Sequence, residues 1–201
     1  TDRSSLLGPC RADAVVCCPA VTRTAVGVAL VGWALTGCAT WSKDLPPPRA
    51  FDFPTATGGG LASLVAPPAT NPSTNLSTNP ATNATATAPV VRRPVVVLLH
   101  GGFSGEDPGT AQLAQRLAQR GVLAVVPSYR GERRALDQKQ SPGRVEFCAG
   151  EVDDIRALLR ALRGRPDVDG DRVALWGFSH GGCIALRVAE RESALAQVIT
   201  F

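Results

Sequence analysis

The chain has 201 residues, of which 19% are charged and 44% hydrophobic, with a formal net charge of +4. Its arginines are spread among acids, with no basic patch interleaved with aromatics, so no nucleic-acid partner is indicated. The length suits one good-sized domain, but residues 1–93 differ in composition from the remainder, so the domain does not fill the chain.

Near the N-terminus, Arg23 precedes a mostly apolar run from Thr24 to Cys38 that ends in small residues. It is shorter than the roughly 20 apolar residues that span a bilayer, and residues 1–37 read as an export signal of uncertain start. Leu35-Thr36-Gly37-Cys38 resembles the lipobox of bacterial lipoproteins. That resemblance implies cleavage before Cys38, lipidation of its thiol, and an exported protein held at the cell envelope by its membrane-inserted N-terminus. The alternative is a buried helix in a small N-terminal domain. Cys10, Cys17 and Cys18 precede the cleavage point, which leaves Cys148 and Cys183 as unlipidated thiols. Two cysteines make no disulfide framework, and whether they pair stays open, although an exported protein meets an oxidising compartment.

Residues 38–93 are rich in Pro, Thr, Asn, Ala and Ser, with Pro46-Pro47-Pro48 and Gly58-Gly59-Gly60 among them. Such a composition buries too little apolar surface to offset the entropy of ordering, and it reads as a disordered linker. Ala50-Phe51-Asp52-Phe53-Pro54, Leu61 and Leu64-Val65 are the pieces that could instead dock on the domain as short strands.

The folded domain is expected over 94–201. Val95 to Leu99 is a continuous β-branched and aliphatic run, the pattern of a strand buried on both faces of a parallel sheet. The loop His100-Gly101-Gly102-Phe103 follows, then Asp107-Pro108 in cap and first-turn positions, a half-buried helix through Leu113, Ala114, Leu117 and Ala118, and Gly121 as its stop. Val122 to Val126 predicts a second strand. A helix from about Gly150 buries Val152, Ile155, Leu158, Leu159 and Leu162, with Glu151, Asp153 and Asp154 assigned to its start and wet face. Arg165 to Asp171 reads as a turn, Val173 to Trp176 as a third strand, Ile184 to Glu192 as helix, and Ala196 to Phe201 as the opening of a fourth strand. Alternating strands and helices predict an α/β layer fold on a mainly parallel sheet, with ligands beyond the carboxyl ends of the strands.

Gly177-Phe178-Ser179-His180-Gly181-Gly182 follows the third strand and opens a helix, the arrangement of a nucleophile elbow. Ser179 is the candidate nucleophile, and its bland alternative is a serine that caps the helix. The His180 amide, at the helix start, is a candidate oxyanion donor; the amide of Gly102, or alternatively of Phe103, is the second. The His100 and His180 side chains are not offered as general base, His100 being read as a brace for its loop. The glycine segments lack the spacing of a nucleotide loop, and the histidines and cysteines lack metal-ligand spacing, so no cofactor is implied.

Val95 to Leu99, His100-Gly101-Gly102, Pro127-Ser128-Tyr129-Arg130-Gly131-Glu132, Gly150-Glu151-Val152-Asp153-Asp154 and the Ser179 elbow, taken as an ordered set, resemble an α/β-hydrolase of the prolyl oligopeptidase and dienelactone hydrolase group. The resemblance implies a serine hydrolase acting on small esters or peptides through an acyl-enzyme, with Tyr129 near the site. It implies a triad aspartate and histidine late in such a domain, and this sequence reaches Phe201 before either. The expectation is thus a partial α/β-hydrolase domain, truncated before its last strands and inactive alone. The rival readings are a noncatalytic binding or scaffold protein that retains the elbow, and a domain completed by a complementary chain.

Overall fold

The computed structural model describes residues 41–69, 90–102 and 105–201. In chain order these form β1 (Arg49–Phe53), β2 (Gly60–Val65), β3 (Arg93–Leu99), α1 (Pro108–Gln119), β4 (Leu123–Ser128), α2 (Gly150–Arg163), β5 (Val168–Gly177), α3 (His180–Ala189) and β6 (Gln197–Thr200). The strands make one mixed sheet in the order β1-β2-β4-β3-β5-β6. β1/β2 and β2/β4 are antiparallel, whereas β4/β3, β3/β5 and β5/β6 are parallel.

The strand periodicity of two divides the core between the faces of this sheet. Val95, Val97 and Leu99 of β3, with Leu123 and Val125 of β4 and Val173 and Leu175 of β5, pack with the α2 stripe and with Ile184, Ala185 and Val188 of α3. The intervening Leu98, Ala124 and Val126 pack with Ala114 and Ala118 of α1 on the other face. Helices on both sides explain why β3 and β4 read as unbroken apolar runs. Each large aliphatic so buried contributes about 1.5–3 kcal/mol.

The helix boundaries have local causes. The Asp107 carboxylate accepts from the Thr110 amide at 3.0 Å and the Thr110 hydroxyl at 2.6 Å, with Pro108 as the first helical residue of α1. Gly121, at φ 85°, ends the helix and turns the chain into β4.

The linker reading fails for residues 41–65, which are part of the fold. β2 pairs with β4 from Leu61↔Ser128 to Val65↔Ala124, and β1 pairs with β2 from Arg49↔Leu64 to Phe53↔Gly60. Leu45 is buried against the α1 face, and the Ser42 amide donates to Gln115 Oε1 at 2.9 Å. The pieces singled out as able to dock are these two strands. Short strands flanked by proline and glycine vanish in a composition average, and the edge that accepts them, β4, is formed far along the chain. A buried guanidinium secures the hairpin: Arg134 donates to Asp52 at 2.7 Å, to Asp137 at 2.6 Å and to the Ala62 carbonyl at 3.3 Å.

β5 begins at Val168, so part of the expected turn from Arg165 is already strand, with a register irregularity between the Arg93 and Val95 pairings. Order along the sheet reverses at β3. The chain leaves β3 through α1 to reach β4 on one side, then crosses through α2 on the opposite face to reach β5 on the other. The carboxyl ends of β3 and β5 flank this switch point, the position at which open α/β sheets place their ligands.

Candidate active site

β5 ends at Gly177 and α3 begins at His180, which leaves Phe178 and Ser179 to reverse the chain. Ser179 adopts φ 51°, ψ −114°, a conformation that L-residues avoid and that costs of order 1–3 kcal/mol. Although it occupies the N-cap position, its side chain makes no capping hydrogen bond, and the residue is exposed. The backbone holds it from both flanks. The Phe178 amide donates to the Leu99 carbonyl at 3.1 Å, the Ser179 amide to the Phe201 carbonyl at 2.9 Å, and the Phe201 amide to the Gly177 carbonyl at 3.0 Å.

Two glycines make this turn sterically possible. A Cβ on Gly181 would strike the Leu99 carbonyl and lie 2.7 Å from the His100 oxygen; one on Gly177 would lie 2.7 Å from the Gly181 carbonyl carbon. Helix α3 therefore starts in backbone contact with the end of β3. A Cβ on Gly101 would lie 3.3 Å from Ser179 Cβ, so the loop after β3 abuts the serine. Gly102, at φ 71°, shapes that loop, and its carbonyl accepts from His180 Nδ1 at 3.3 Å. The structure thus brings together Ser179, His180 and Gly102. Phe103, the alternative donor, and Cys38, the lipidation candidate, lie outside the described residues.

Behind the loop lies a set of polar groups that the sequence reading left without partners. His100 is fully buried, stacked on Tyr129 with ring centroids 4.3 Å apart. Glu132 Oε2 lies 3.3 Å from His100 Nε2 and accepts the Tyr129 amide at 3.0 Å. Arg130 donates to Asp154 at 2.8 Å and to the Gly150 carbonyl at 2.8 Å, and pairs with Glu146 at 2.9 Å. Glu151 is not on the wet face: it is buried and accepts the Glu146 amide at 2.5 Å and the Ala149 amide at 3.1 Å. A helix wheel misplaces it because its partners come from the irregular turn before α2. Tyr129 and Glu132 did have a signal, since both stand in the segment that carried the family resemblance.

That turn also touches the elbow. Phe147 and Cys148 take φ 56° and 65°, Phe147 stacks on His180 at 5.2 Å between ring centroids, and Cys148 is disulfide-bonded to Cys183 with their Cα atoms 6.1 Å apart. Burial pushes the Glu106 carboxyl up to about 7, with His100 acting against that shift and Asp107 adding to it.

A serine at the tip of a strand–turn–helix, set at the carboxyl ends of parallel strands between helical layers, defines an α/β-hydrolase fold in part. The chain belongs to the dienelactone hydrolase family, whose model matches residues 80–201. It is 27% identical over 110 residues to the quorum-quenching protein AidA of Acinetobacter baumannii, covering 55% of this chain and 35% of that protein. It is 32% identical over 109 residues to the 5-methylorsellinic acid synthase of Aspergillus terreus, covering 51% of this chain and 4% of that one. Among solved structures, the α/β hydrolase GrgF from Penicillium sp. sh18 matches with a TM-score of 0.59 at 16% identity, over 77% of this chain and 45% of that one. The acylaminoacyl peptidase of Pyrococcus horikoshii matches with a TM-score of 0.53 at 17% identity, over 79% and 23%. At such identities the structural likeness is one of fold, and the chain spans less than half the length of each of these proteins. Among the described residues, no helix is long and apolar enough to cross a membrane.

Proposed function

We propose that the chain carries the nucleophile and oxyanion donors of a serine hydrolase that cleaves ester or peptide bonds of small substrates through an acyl-enzyme. The observation that supports this most is the exposed Ser179 hydroxyl, unspent on capping and held at φ 51°. In the reaction, Ser179 Oγ attacks the substrate carbonyl as its proton passes to a base. The negative charge that develops on the carbonyl oxygen is met by the amides of His180 and Gly102, or of Phe103 in place of Gly102. Each such donor is worth roughly 3 kcal/mol in the transition state. Collapse expels the alcohol or amine and leaves an ester on Ser179, which water then hydrolyses.

Neither histidine side chain is assigned as base, because His100 is sealed in the core and His180 Nδ1 is turned to the Gly102 carbonyl. A serine without a base is a weak nucleophile, so the 201-residue polypeptide alone is expected to run several orders of magnitude below a full triad. Hydrolysis of p-nitrophenyl acetate by wild type and Ser179→Ala checks this: near-equal, near-background rates are expected, and Ser179-dependent turnover at ordinary esterase rates would show that a residue of this polypeptide serves as base. Export and lipid anchoring through Cys38 complete the proposal, resting on Leu35-Thr36-Gly37-Cys38. Expression in a bacterium fed labelled palmitate should mark the wild type and not Cys38→Ala.

A further inference from the structure

In the loop after β3, the carbonyls of His100, Gly101 and Gly102 each face a side-chain donor. Tyr129 Oη donates to the His100 carbonyl at 2.9 Å, His100 Nδ1 meets the Gly101 carbonyl at 3.1 Å, and His180 Nδ1 meets the Gly102 carbonyl at 3.3 Å. A peptide unit is planar, so fixing one carbonyl fixes the N–H of the next residue, which points the opposite way. The Gly101 carbonyl and the Gly102 N–H belong to one such plane, and His100 grips it.

The protonation of His100 follows from its partners. A carbonyl only accepts, so Nδ1 must carry a proton to bind Gly101. Nε2 lies 3.3 Å from Glu132 Oε2, outside hydrogen-bond geometry, while that oxygen accepts the Tyr129 amide; a proton on Nε2 makes this close contact an attractive one. The Gly101 bond requires the Nδ1 proton, and the second proton of the imidazolium turns the 3.3 Å approach of Glu132 Oε2 to Nε2 into a charge pair. The geometry points to Glu132 as a positioning residue that keeps His100 doubly protonated, so that the charged ring holds the Gly101–Gly102 peptide and aims the Gly102 N–H. What that amide is aimed at, the reacting carbonyl oxygen, rests on the hydrolase reading above.

The surroundings agree. Burial alone presses the His100 ring toward its neutral form, but the close contact and charge of Glu132 outweigh it and hold the pKa above the ordinary value. The other groups whose charge acts on the ring are Glu106 and Asp107 from the segment before α1, and Tyr129, the residue after β4, stacks on it. Burial lifts the Tyr129 phenol further above its ordinary range, so it stays a donor throughout.

A pH series from about 5 to about 9 on the isotope-labelled chain, followed by NMR at the His100 ring and the Gly102 amide, tests this. In wild type the two signals should share a step above the ordinary histidine value, and its persistence in Glu106→Gln separates it from the Glu106 carboxyl at about 7. Glu132→Gln should lower that step by at least a unit, a tenfold loss of proton affinity; Glu132→Asp should lower it less, and Glu106→Gln should move it least. A Gly102 amide that ignores the His100 step, or a step unmoved by Glu132→Gln, would overturn the inference. A second arm follows covalent labelling of Ser179 by a fluorophosphonate with added imidazole, where Glu132→Gln should be about tenfold slower at neutral pH. Labelling that proceeds at equal rates in both overturns the positioning role and leaves the hydrolase reading standing. Failure of wild type to label at all strikes the hydrolase reading, while the NMR series still decides the state of His100.

Discussion

A serine at φ 51° is held in a conformation that suits glycine, and the neighbouring backbone supplies the restraint. Ser179→Gly should therefore stabilise the fold by about 1 kcal/mol, read as a higher urea midpoint, because the strain is relieved and no capping bond is lost. A lower midpoint would mean that the backbone is not strained. Gly181→Ala should do the reverse, costing about 2–4 kcal/mol, since its Cβ has no route past the Leu99 carbonyl. Glu106 adds a pH dependence of known sign. Its carboxyl lies at about 7 in the folded state against 4.5 unperturbed, so the native state holds an extra proton between those values. Stability is lost as pH rises through that window. Glu106→Gln should raise stability near pH 8 by about 3 kcal/mol and leave it little changed near pH 4, as urea titrations at both would report. At this scale the elbow was legible from the sequence, because glycine spacing after a β-branched run encodes a backbone shape. The Glu132–His100–Tyr129 cluster was not, because its members come from separate elements and only the folded chain sets their separations.

Among the described elements, β3 to β6 and α1 to α3 were legible, since their apolar patterns are strong and α1 carries its own cap and stop. β1 and β2 were legible only as fragments able to dock. Their pairing depends on the free edge of β4, a tertiary fact with no local trace in a stretch rich in proline and glycine. A protease site engineered between Pro72 and Pro80 gives a direct check. After cleavage, the piece carrying β1 and β2 should stay with the rest through gel filtration, because it is bound by strand pairing, the buried Leu61–Val65 face and Arg134. Prompt separation of the two pieces would contradict that account. The link between the turn before α2 and helix α3 was beyond reach from two isolated cysteines, whose proximity the sheet and helix packing create. With Cys148 and Cys183 separated by 35 positions in sequence, loss of the disulfide should cost about 3–4 kcal/mol in the chain-entropy account, checked by comparing the double serine variant with wild type.

At the scale of the whole molecule, the site exists because strand order reverses at β3. That reversal sets the His100 loop and the Ser179 elbow side by side at the carboxyl ends of β3 and β5, where glycine-to-backbone contacts lock them together. The fold class could be anticipated from strand–helix alternation. The mixed character of the sheet, by contrast, arises from β1 and β2, which composition had assigned to a linker. The central proposal is that this assembly presents Ser179 as a nucleophile that an added base can activate. It is tested most directly by intact and peptide mass spectrometry of the chain after exposure to a fluorophosphonate, with and without imidazole as a surrogate base. One adduct, confined to the peptide containing Ser179, accelerated by imidazole and absent from Ser179→Ala, is the predicted result. No adduct at Ser179 under any imidazole concentration, or labelling spread over surface serines at a common rate, would contradict it.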